Sequence, residues 1–285
     1  MVLRRVVAFS GCAERRHEDA RSAMPASMTS ICSGVRSFMV RNQLSVVIPC
    51  KDEESYLPAL LDALGRQRDI DRIEYVCALS PDTKDGTEAI ARRYGCRIVT
   101  GGRPATARNN GAQAATYDSI LFMDADTYPE HELFLSKALA EFRDRGLHVA
   151  GTLLSSDYRG NGVRRLFYSG LYRFLRYEFT RRQDTANPLM QSAMFFDRTS
   201  FFDLGGFKEG IFREDSEIAA RAVSSEWGFR FGILKNCGYL RNSVRRYEGR
   251  AVRALLKVGY LNAKAELFGY EALEDSIDSY LNGEL

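Results

Sequence analysis

The sequence predicts a doubly wound α/β fold with a mostly parallel central sheet flanked by helices. Two observations support this prediction. From Leu44 onward, short apolar runs rich in β-branched residues alternate with segments in which apolar residues recur at helical spacing. Acidic residues directly follow several of these runs, and in a parallel sheet ligands bind along the edge where the strands end.

The first half of the chain alternates regularly between strand and helix. Residues 44–48 form an apolar run that stops at Pro49, which cannot donate to a sheet ladder. One helical face is marked by Leu57, Leu60, Leu61 and Leu64, and Gly65 can end that helix. The other predicted strands are residues 73–79, 97–99 and 119–123, and the other predicted helices are residues 87–94 and 105–115.

The second half of the chain is less regular. A further helical face is marked by Leu135, Ala138, Leu139 and Phe142, and a strand is predicted at residues 148–153. Helices are predicted at residues 163–180, 216–226 and 251–268, with a strand at residues 191–196. No internal repeat or low-complexity linker follows residue 42, so residues 43–285 are predicted to form a single domain with C-terminal helices.

The first 42 residues differ in composition from the rest of the chain. Arginines are mixed there with serine, alanine and glycine without sustained periodicity, which predicts a disordered N-terminal extension. The alternatives are a targeting segment, or a start codon assigned upstream of a native start at Met39.

Composition and charge exclude several classes of protein. The 40 Lys and Arg against 37 Asp and Glu leave a net charge of +3, which is too mild for a nucleic-acid binder, so no nucleic-acid partner is expected. No stretch reaches the roughly 20 apolar residues of a membrane-spanning helix. The six cysteines form no Cys-x-x-Cys pair and have no histidine cluster nearby, which indicates reduced thiols in a cytoplasmic protein.

Asp124 and Asp126 form the sharpest candidate site. They follow the predicted strand at residues 119–123 and lie two positions apart, so both carboxylates can bind one divalent cation. Mg²⁺ or Mn²⁺ prefers such oxygen ligands and would neutralise charge on a departing diphosphate. The alternative is a solvated turn or a helix cap.

Several motifs in a fixed order resemble the family 2 glycosyltransferases of the GT-A fold. They are Leu44-Ser-Val-Val-Ile-Pro-Cys-Lys-Asp-Glu-Glu, Lys84-Asp-Gly-Thr, Ala107-Arg-Asn-Asn-Gly, Met123-Asp-Ala-Asp-Thr, Leu204-Gly-Gly-Phe-Lys, Arg213-Glu-Asp-Ser-Glu and Ser243-Val-Arg-Arg-Tyr. The resemblance covers residues 43–260 and implies a metal-dependent, inverting hexosyltransferase. Such an enzyme moves a sugar from a nucleoside-diphosphate donor to an acceptor hydroxyl or phosphate.

The resemblance also implies roles for individual residues. Asp126 is implied as the principal metal ligand, with Asp124 near the ribose and the metal. In the implied catalytic pair Glu214-Asp215, the aspartate is the general base that an inverting displacement needs. The alternative for this pair is that it stabilises a helix N-terminus. Contacts with the nucleotide sugar are implied for Pro49, Asp52, Glu53, Asp85, Arg108, Asn109, Asp124, Arg245 and Arg246.

The chain departs from the family pattern at three places. Ser80-Pro81-Asp82 stands where Asp-Asp-Gly or Asp-Gly-Gly is common, and Asp52 stands where asparagine is frequent. No histidine follows His148, whereas many members use a late histidine as an extra metal ligand. These differences bear on base recognition and on metal affinity.

The predicted helix at residues 163–180 bears on the acceptor. One face would carry Phe167, Leu171, Phe174, Leu175 and Phe179, and another would carry Arg165, Arg173 and Arg176. Such a helix can lie on the inner face of an anionic membrane, where a polyprenyl phosphate or a lipid-linked glycan of the cell envelope would be the acceptor. The alternative is ordinary core packing. Residues 187–196 correspond to the acceptor pocket of the family but identify no acceptor.

Other functions fit the sequence less well. The competing function is a non-catalytic nucleotide-sugar-binding protein of the same fold. A sugar-nucleotide pyrophosphorylase would carry a Gly-rich, Arg-containing first loop, which is missing after the first strand. A processive synthase would carry a Gln-x-x-Arg-Trp motif, and Trp227 is not in that context.

Overall fold

The computed structural model describes residues 42–186, 188–211, 213–245, 260 and 264. Within these residues the chain forms ten strands and seven helices. The strands are β1 (Gln43–Cys50), β2 (Arg72–Leu79), β3 (Arg97–Thr100), β4 (Ser119–Met123), β5 (Thr127–Pro129), β6 (Val149–Gly151), β7 (Leu154–Ser156), β8 (Ala193–Asp197), β9 (Phe231–Ile233) and β10 (Leu240–Asn242). The helices are α1 (Leu57–Gly65), α2 (Thr87–Arg93), α3 (Pro104–Ala114), α4 (Phe134–Asp144), α5 (Gly162–Arg182), α6 (Arg198–Asp203) and α7 (Glu214–Ser224).

The central sheet has seven strands in the order β3-β2-β1-β4-β8-β6-β9. Every neighbouring pair is parallel except the two that involve β8, which runs antiparallel to β4 and to β6. The predicted α/β fold with a mostly parallel sheet flanked by helices is therefore confirmed. The carboxyl ends of β1, β2 and β4 lie along one edge, as expected for a ligand-binding edge.

Alternating side chains of the strands pack on opposite faces of the central sheet. Val46 and Leu121 belong to a core cluster that includes residues of α1 and α4. Val47 and Phe122 belong to a second cluster that includes residues of α3 and α7. Since successive strand residues point to opposite faces, fully apolar strands are what a sheet covered on both sides requires.

Strand β1 extends beyond the predicted stop at Pro49. The β1–β4 ladder ends at Val47, while the ladder with β2 continues to Cys50. Past Val47, β1 has only one paired neighbour, so the missing amide hydrogen of proline removes no bond from the β4 side.

The predicted strand at residues 148–153 is confirmed at β6, which ends at Gly151, two residues before the predicted end. Strand β7 follows from Leu154, beyond the predicted bounds, and belongs to a second sheet of three strands with the order β5-β10-β7. The chain crosses from one sheet to the other between Gly151 and Leu154. Each strand of the second sheet has three residues, which is too short for an alternation of apolar and polar side chains to be recognised.

Two helix predictions are corrected in detail. Helix α7 begins at Glu214 rather than at residue 216, so Glu214 and Asp215 lie within its first turn. The predicted face members Leu171, Leu175 and Phe179 pack on the core of the protein together with Tyr168 and Tyr172, whereas the predicted members Phe167 and Phe174 are exposed.

Other predictions lie outside the described residues. They concern residues 1–41 of the predicted extension and the predicted helix at 251–268, of which only Tyr260 and Lys264 are described. The proposed division into an extension and a single domain from residue 43 stays a prediction. Among the described residues, none of the helices has the length and apolar character needed to cross a membrane.

Candidate active site

The loops that follow β1 and β2 are joined by hydrogen bonds from backbone amides to carboxylates. The Lys84 amide donates to the Asp52 carboxylate at 2.8 Å, and the Glu54 amide donates to the Asp85 carboxylate at 3.0 Å. Burial raises the pKa of Asp85, but hydrogen bonds from Thr87 and from the Glu54 amide lower it by more, so its pKa is lowered overall. Asp52 and Asp85 therefore shape these loops, and their predicted contact with the nucleotide stays a prediction.

Arg108 is a buried cation that joins the end of β4 to the start of α7. Its side chain is 8% exposed, its Nη2 donates to Asp124 Oδ1 at 3.0 Å, and its Nη1 pairs with Glu214 Oε1. Helix α3 approaches the sheet closely at Gly111, where a Cβ atom would overlap the side chain of Val47. Arg108 lies on the same helix, three residues before this close approach.

The charges around Arg108 influence one another. Burial lowers the pKa of Arg108, but Asp124, Glu214 and Asp215 raise it by more, so the guanidinium is charged. Burial also raises the pKa of Glu214; Arg108 acts in the lowering direction and Asp215 adds to the rise. Asp215 thus lies close enough to Arg108 and Glu214 for its charge to act on both.

Arg245 joins the two other carboxylates at this edge. Its Nε donates to Asp126 Oδ2 at 2.9 Å and its Nη2 donates to Glu53 Oε1 at 2.7 Å. The Asp126 and Glu53 side chains are 10% and 13% exposed. The guanidinium lies over the ring of Tyr56, with 4.2 Å between the guanidinium carbon and the ring centroid. A single cation therefore bridges the loop after β1 and the loop after β4.

The second sheet positions Arg245. Strand β10 pairs with β5 so that Asn242 lies opposite Thr127, and the Asn242 amide group donates to the Thr127 hydroxyl at 2.8 Å. One residue further on, the Ser243 amide donates to the carbonyl of Asp126 at 3.0 Å. Because β5 directly follows Asp126, this pairing brings the residues after β10 to the Asp126 side chain.

Glu53 links the two groups of charges electrostatically. Burial raises the pKa of Glu53, Arg245 acts in the lowering direction, and the charges of Asp126 and Asp124 raise it further. Asp124 thus contacts Arg108 and also acts on Glu53. The sequence-predicted residues Glu53, Arg108, Asp124, Asp126, Glu214, Asp215 and Arg245 belong to one charged cluster at the predicted edge.

Asn109 lies on the same helix as Arg108 but has different partners. Its side-chain amide donates to the Phe207 carbonyl at 2.8 Å and accepts from the Phe207 amide at 2.9 Å. Gly206 adopts a φ of 70°, and a Cβ atom there would lie 2.8 Å from the Asn109 side-chain oxygen. Asn109 therefore holds the loop at residues 204–207, and its predicted contact with the nucleotide stays a prediction.

The two remaining sequence-predicted residues are Pro49 and Arg246. Pro49 lies within β1 opposite Ala78, whereas Arg246 lies outside the described residues, so its predicted role stays a prediction. The sequence analysis missed two aromatic residues of the site. One is Tyr56, whose ring lies against the Arg245 guanidinium. The other is Phe207, whose ring centroid lies 5.6 Å from the Arg108 guanidinium carbon. Phe207 stands in the Leu-Gly-Gly-Phe motif, which was a usable signal, whereas nothing in the local sequence marks Tyr56.

The cluster offers oxygen ligands of the kind that Mn²⁺ and Mg²⁺ prefer. Oε2 of Glu53 is buried without a hydrogen-bond partner, beside the charges of Asp124 and Asp126. No group of three or more acidic, histidine or cysteine side chains among the described residues is arranged to hold a metal ion. The carboxylate oxygens of the cluster therefore suit a divalent cation as ligands. In this structure the Arg245 guanidinium forms ion pairs with two of these carboxylates, Asp126 and Glu53.

Comparison with known proteins gives a match to a family model. The model described as glycosyl transferase family 2 matches residues 45–205. A curated relative, the 4,4'-diaponeurosporenoate glycosyltransferase of Staphylococcus haemolyticus, is 30% identical in an alignment 112 residues long that covers 35% of this chain and 28% of that protein.

Solved structures show the same fold. A mannosyltransferase from Pyrobaculum calidifontis in complex with GDP-Man and Mn²⁺ superimposes with a TM-score of 0.62 at 20% identity, covering 80% of this chain and 65% of that chain. TarS of S. aureus, residues 1–349 in complex with UDP-GlcNAc, gives a TM-score of 0.54 at 20% identity, covering 71% of this chain and 59% of that chain. This chain therefore spans less than two thirds of the length of each of these proteins.

Proposed function

Because the chain belongs to glycosyl transferase family 2, we propose that it transfers a hexosyl group from a nucleoside-diphosphate sugar to an acceptor, with inversion at the anomeric carbon. The observation that carries this proposal is the meeting of carboxylates from three parts of the chain at one edge of the sheet. Glu53, Asp126 and Asp124 follow β1 and β4, and Glu214 and Asp215 begin α7.

The donor diphosphate would lie at the Asp124 and Asp126 end of the cluster. These two residues would hold Mn²⁺ or Mg²⁺, and the bound ion would neutralise charge on the leaving diphosphate. The fold is shared with proteins crystallised with GDP-Man and Mn²⁺ and with UDP-GlcNAc, which supports a donor of this class. Arg245 and Arg246 would contact phosphate oxygens, for which a planar guanidinium is well suited.

Asp215 is the general base in this proposal. It lies in the first turn of α7, where its carboxylate accepts a hydrogen bond from the Ser216 amide at 2.6 Å. Its neighbour Glu214 is engaged by Arg108, which suits a positioning residue that holds the first turn of α7 in place.

The proposed step is a single displacement. Asp215 accepts the proton of the acceptor hydroxyl while the acceptor oxygen forms a bond to the anomeric carbon. The bond from that carbon to the diphosphate oxygen breaks, and its electron pair leaves with the nucleoside diphosphate. With a phosphate acceptor, the attacking oxygen is already ionised and needs no base. The proposed acceptor class is a polyprenyl phosphate or a lipid-linked glycan at the cytoplasmic face of a membrane.

The substitution Asp215→Asn tests the base. We expect it to retain donor binding and to lower the turnover of a hydroxyl acceptor by about 10² to 10⁴, the usual contribution of general-base catalysis. Calorimetry with UDP-, GDP- and dTDP-sugars in the presence of Mn²⁺ identifies the donor, and transfer to a panel of acceptors measures turnover. Normal transfer by the asparagine variant would show that the base is another group.

The competing proposal is a non-catalytic nucleotide-sugar-binding protein of the same fold. It predicts donor binding with neither hydrolysis nor transfer in the presence of Mn²⁺ and a broad acceptor panel. Release of free nucleoside diphosphate from the bound donor, lost on substitution of Asp215, would exclude it.

A further inference from the structure

Helix α5 presents apolar side chains in two different directions. Its inner face packs on the body of the protein through Tyr168, Leu171, Tyr172 and Phe179, each at most 7% exposed. These positions follow the helical period and account for the packing of the helix. The apolar residues on the rest of the helix are therefore not needed to pack α5 on the body of the protein.

The outer face of α5 carries a second apolar stripe, whose side chains are exposed. Its members are exposed by between 39% and 82%, and they are Val163, Leu166, Phe167, Phe174 and Tyr177. At 100° per residue all five fall on the side of the helix that faces away from the inner face. From Val163 to Tyr177 the stripe is about 21 Å long at 1.5 Å per residue.

This stripe is unusual for the surface of this protein. Half of the ten large hydrophobic side chains that are exposed among the described residues lie on α5. The others are scattered over separate elements and loops, as is normal for single exposed apolar residues. Exposed apolar side chains concentrated on one helix face in this way mark an interaction surface.

The charge of α5 indicates what the stripe contacts. The helix contains six arginines and a single acidic residue, Glu178, which pairs with Arg181 and Arg182 near the helix end. The exposed residues Arg164, Arg165 and Arg173 have no carboxylate partner among the described residues. Apolar and aromatic side chains flanked by unpaired arginines are complementary to a surface that is both apolar and negatively charged.

We propose that α5 lies in the plane of an anionic lipid surface, with its outer stripe in the acyl region and Arg164 and Arg173, which flank the stripe, at the headgroups. Tyrosine and phenylalanine are suited to the boundary between headgroups and acyl chains, and Tyr177 and Phe174 end the stripe. The inference concerns binding only and is independent of the proposed transferase activity. It would bring the donor site to an acceptor held in the same lipid surface.

Vesicle flotation of the full chain tests the proposal. We expect the protein to float with vesicles of equal parts phosphatidylcholine and phosphatidylglycerol, to float less as salt is raised, and to stay unbound with phosphatidylcholine alone. Absence of binding to the anionic vesicles would overturn the proposal.

Matched substitutions distinguish binding through this surface from unspecific adsorption to vesicles. Phe174→Glu should weaken vesicle binding about tenfold or more through the lost apolar contact, whereas Trp227→Glu, at a residue that is 71% exposed outside α5, should not. Arg173→Glu should weaken binding about fivefold or more, whereas Arg66→Glu makes the same charge change elsewhere and should have no such effect. All four side chains are exposed, so unchanged thermal unfolding is expected to accompany each change.

Two further outcomes would overturn the proposal. One is equal loss of binding in the paired variants, which would indicate unspecific adsorption. The other is a dimer in sedimentation velocity that Phe174→Glu dissociates while vesicle binding is absent, which would assign the stripe to contact between two copies of the chain.

Discussion

Arg245 is expected to compete with the divalent cation for the carboxylates of Asp126 and Glu53. In the structure its guanidinium donates to both, at 2.9 and 2.7 Å. A metal ion that binds Asp126 must therefore displace this ion pair, and the guanidinium then becomes free to contact the donor diphosphate. The substitution Arg245→Gln removes the competing charge and should change metal binding and donor binding in opposite directions.

The expected size of the effect follows from the two ion pairs. A hydrogen bond to a charged group contributes about 1.5–3 kcal/mol when buried. The Arg245 side chain is 36% exposed, so solvent screening reduces each contribution to about 1 kcal/mol. Release of about 2 kcal/mol corresponds to Mn²⁺ binding that is roughly thirtyfold tighter in the absence of donor. Donor binding in saturating Mn²⁺ should become weaker, because a phosphate contact is lost.

Calorimetry with MnCl₂ alone, followed by UDP, GDP and dTDP in saturating Mn²⁺, measures both quantities. Arg241→Gln is the matched control, since Arg241 lies in β10 and pairs with Glu130 at 2.5 Å, outside the charged cluster. The control should leave both affinities unchanged. If Arg245→Gln binds Mn²⁺ no more tightly than the parent protein while it folds normally, the competition argument is refuted.

Three further changes test other parts of the site. Asp126→Ala should abolish metal-dependent donor binding, and donor calorimetry with and without Mn²⁺ checks this; unaltered Mn²⁺ dependence would contradict the assigned ligand. Asn109→Ala should lower the free energy of unfolding by about 1–3 kcal/mol, because it removes both bonds to the Phe207 backbone. Denaturant unfolding should show a smaller loss of unfolding free energy for Asn110→Ala, which removes one exposed hydrogen bond. Equal losses would contradict the stabilising role of the Asn109 hydrogen bonds to Phe207. The pKa of Glu53 is raised in the folded protein, so folding takes up a proton and the free energy of unfolding falls as pH rises from about 4.5 through the folded value. Denaturant unfolding across pH should show a weaker fall for Glu53→Gln, and an unchanged profile would be inconsistent with this burial effect.

The local pattern of the sequence determined most of the central sheet. Short apolar runs placed β1, β2, β3 and β4 within a few residues of their observed bounds, and helical spacing placed α1 and α4. These signals are local because burial of one strand or helix face constrains side chains a few positions apart. Since parallel strands end at one edge, the position of Asp124 and Asp126 after β4 was also available from the sequence.

The partners within the charged cluster were decided by the tertiary structure. Arg245 and Asp126 are 119 positions apart, and Arg108 and Glu214 are 106 positions apart. The pairing of β10 with β5 places Arg245, and both strands have only three residues. A strand that short carries no periodic signal, and an ion pair between distant residues leaves no local pattern, so only the packed chain determines which guanidinium meets which carboxylate.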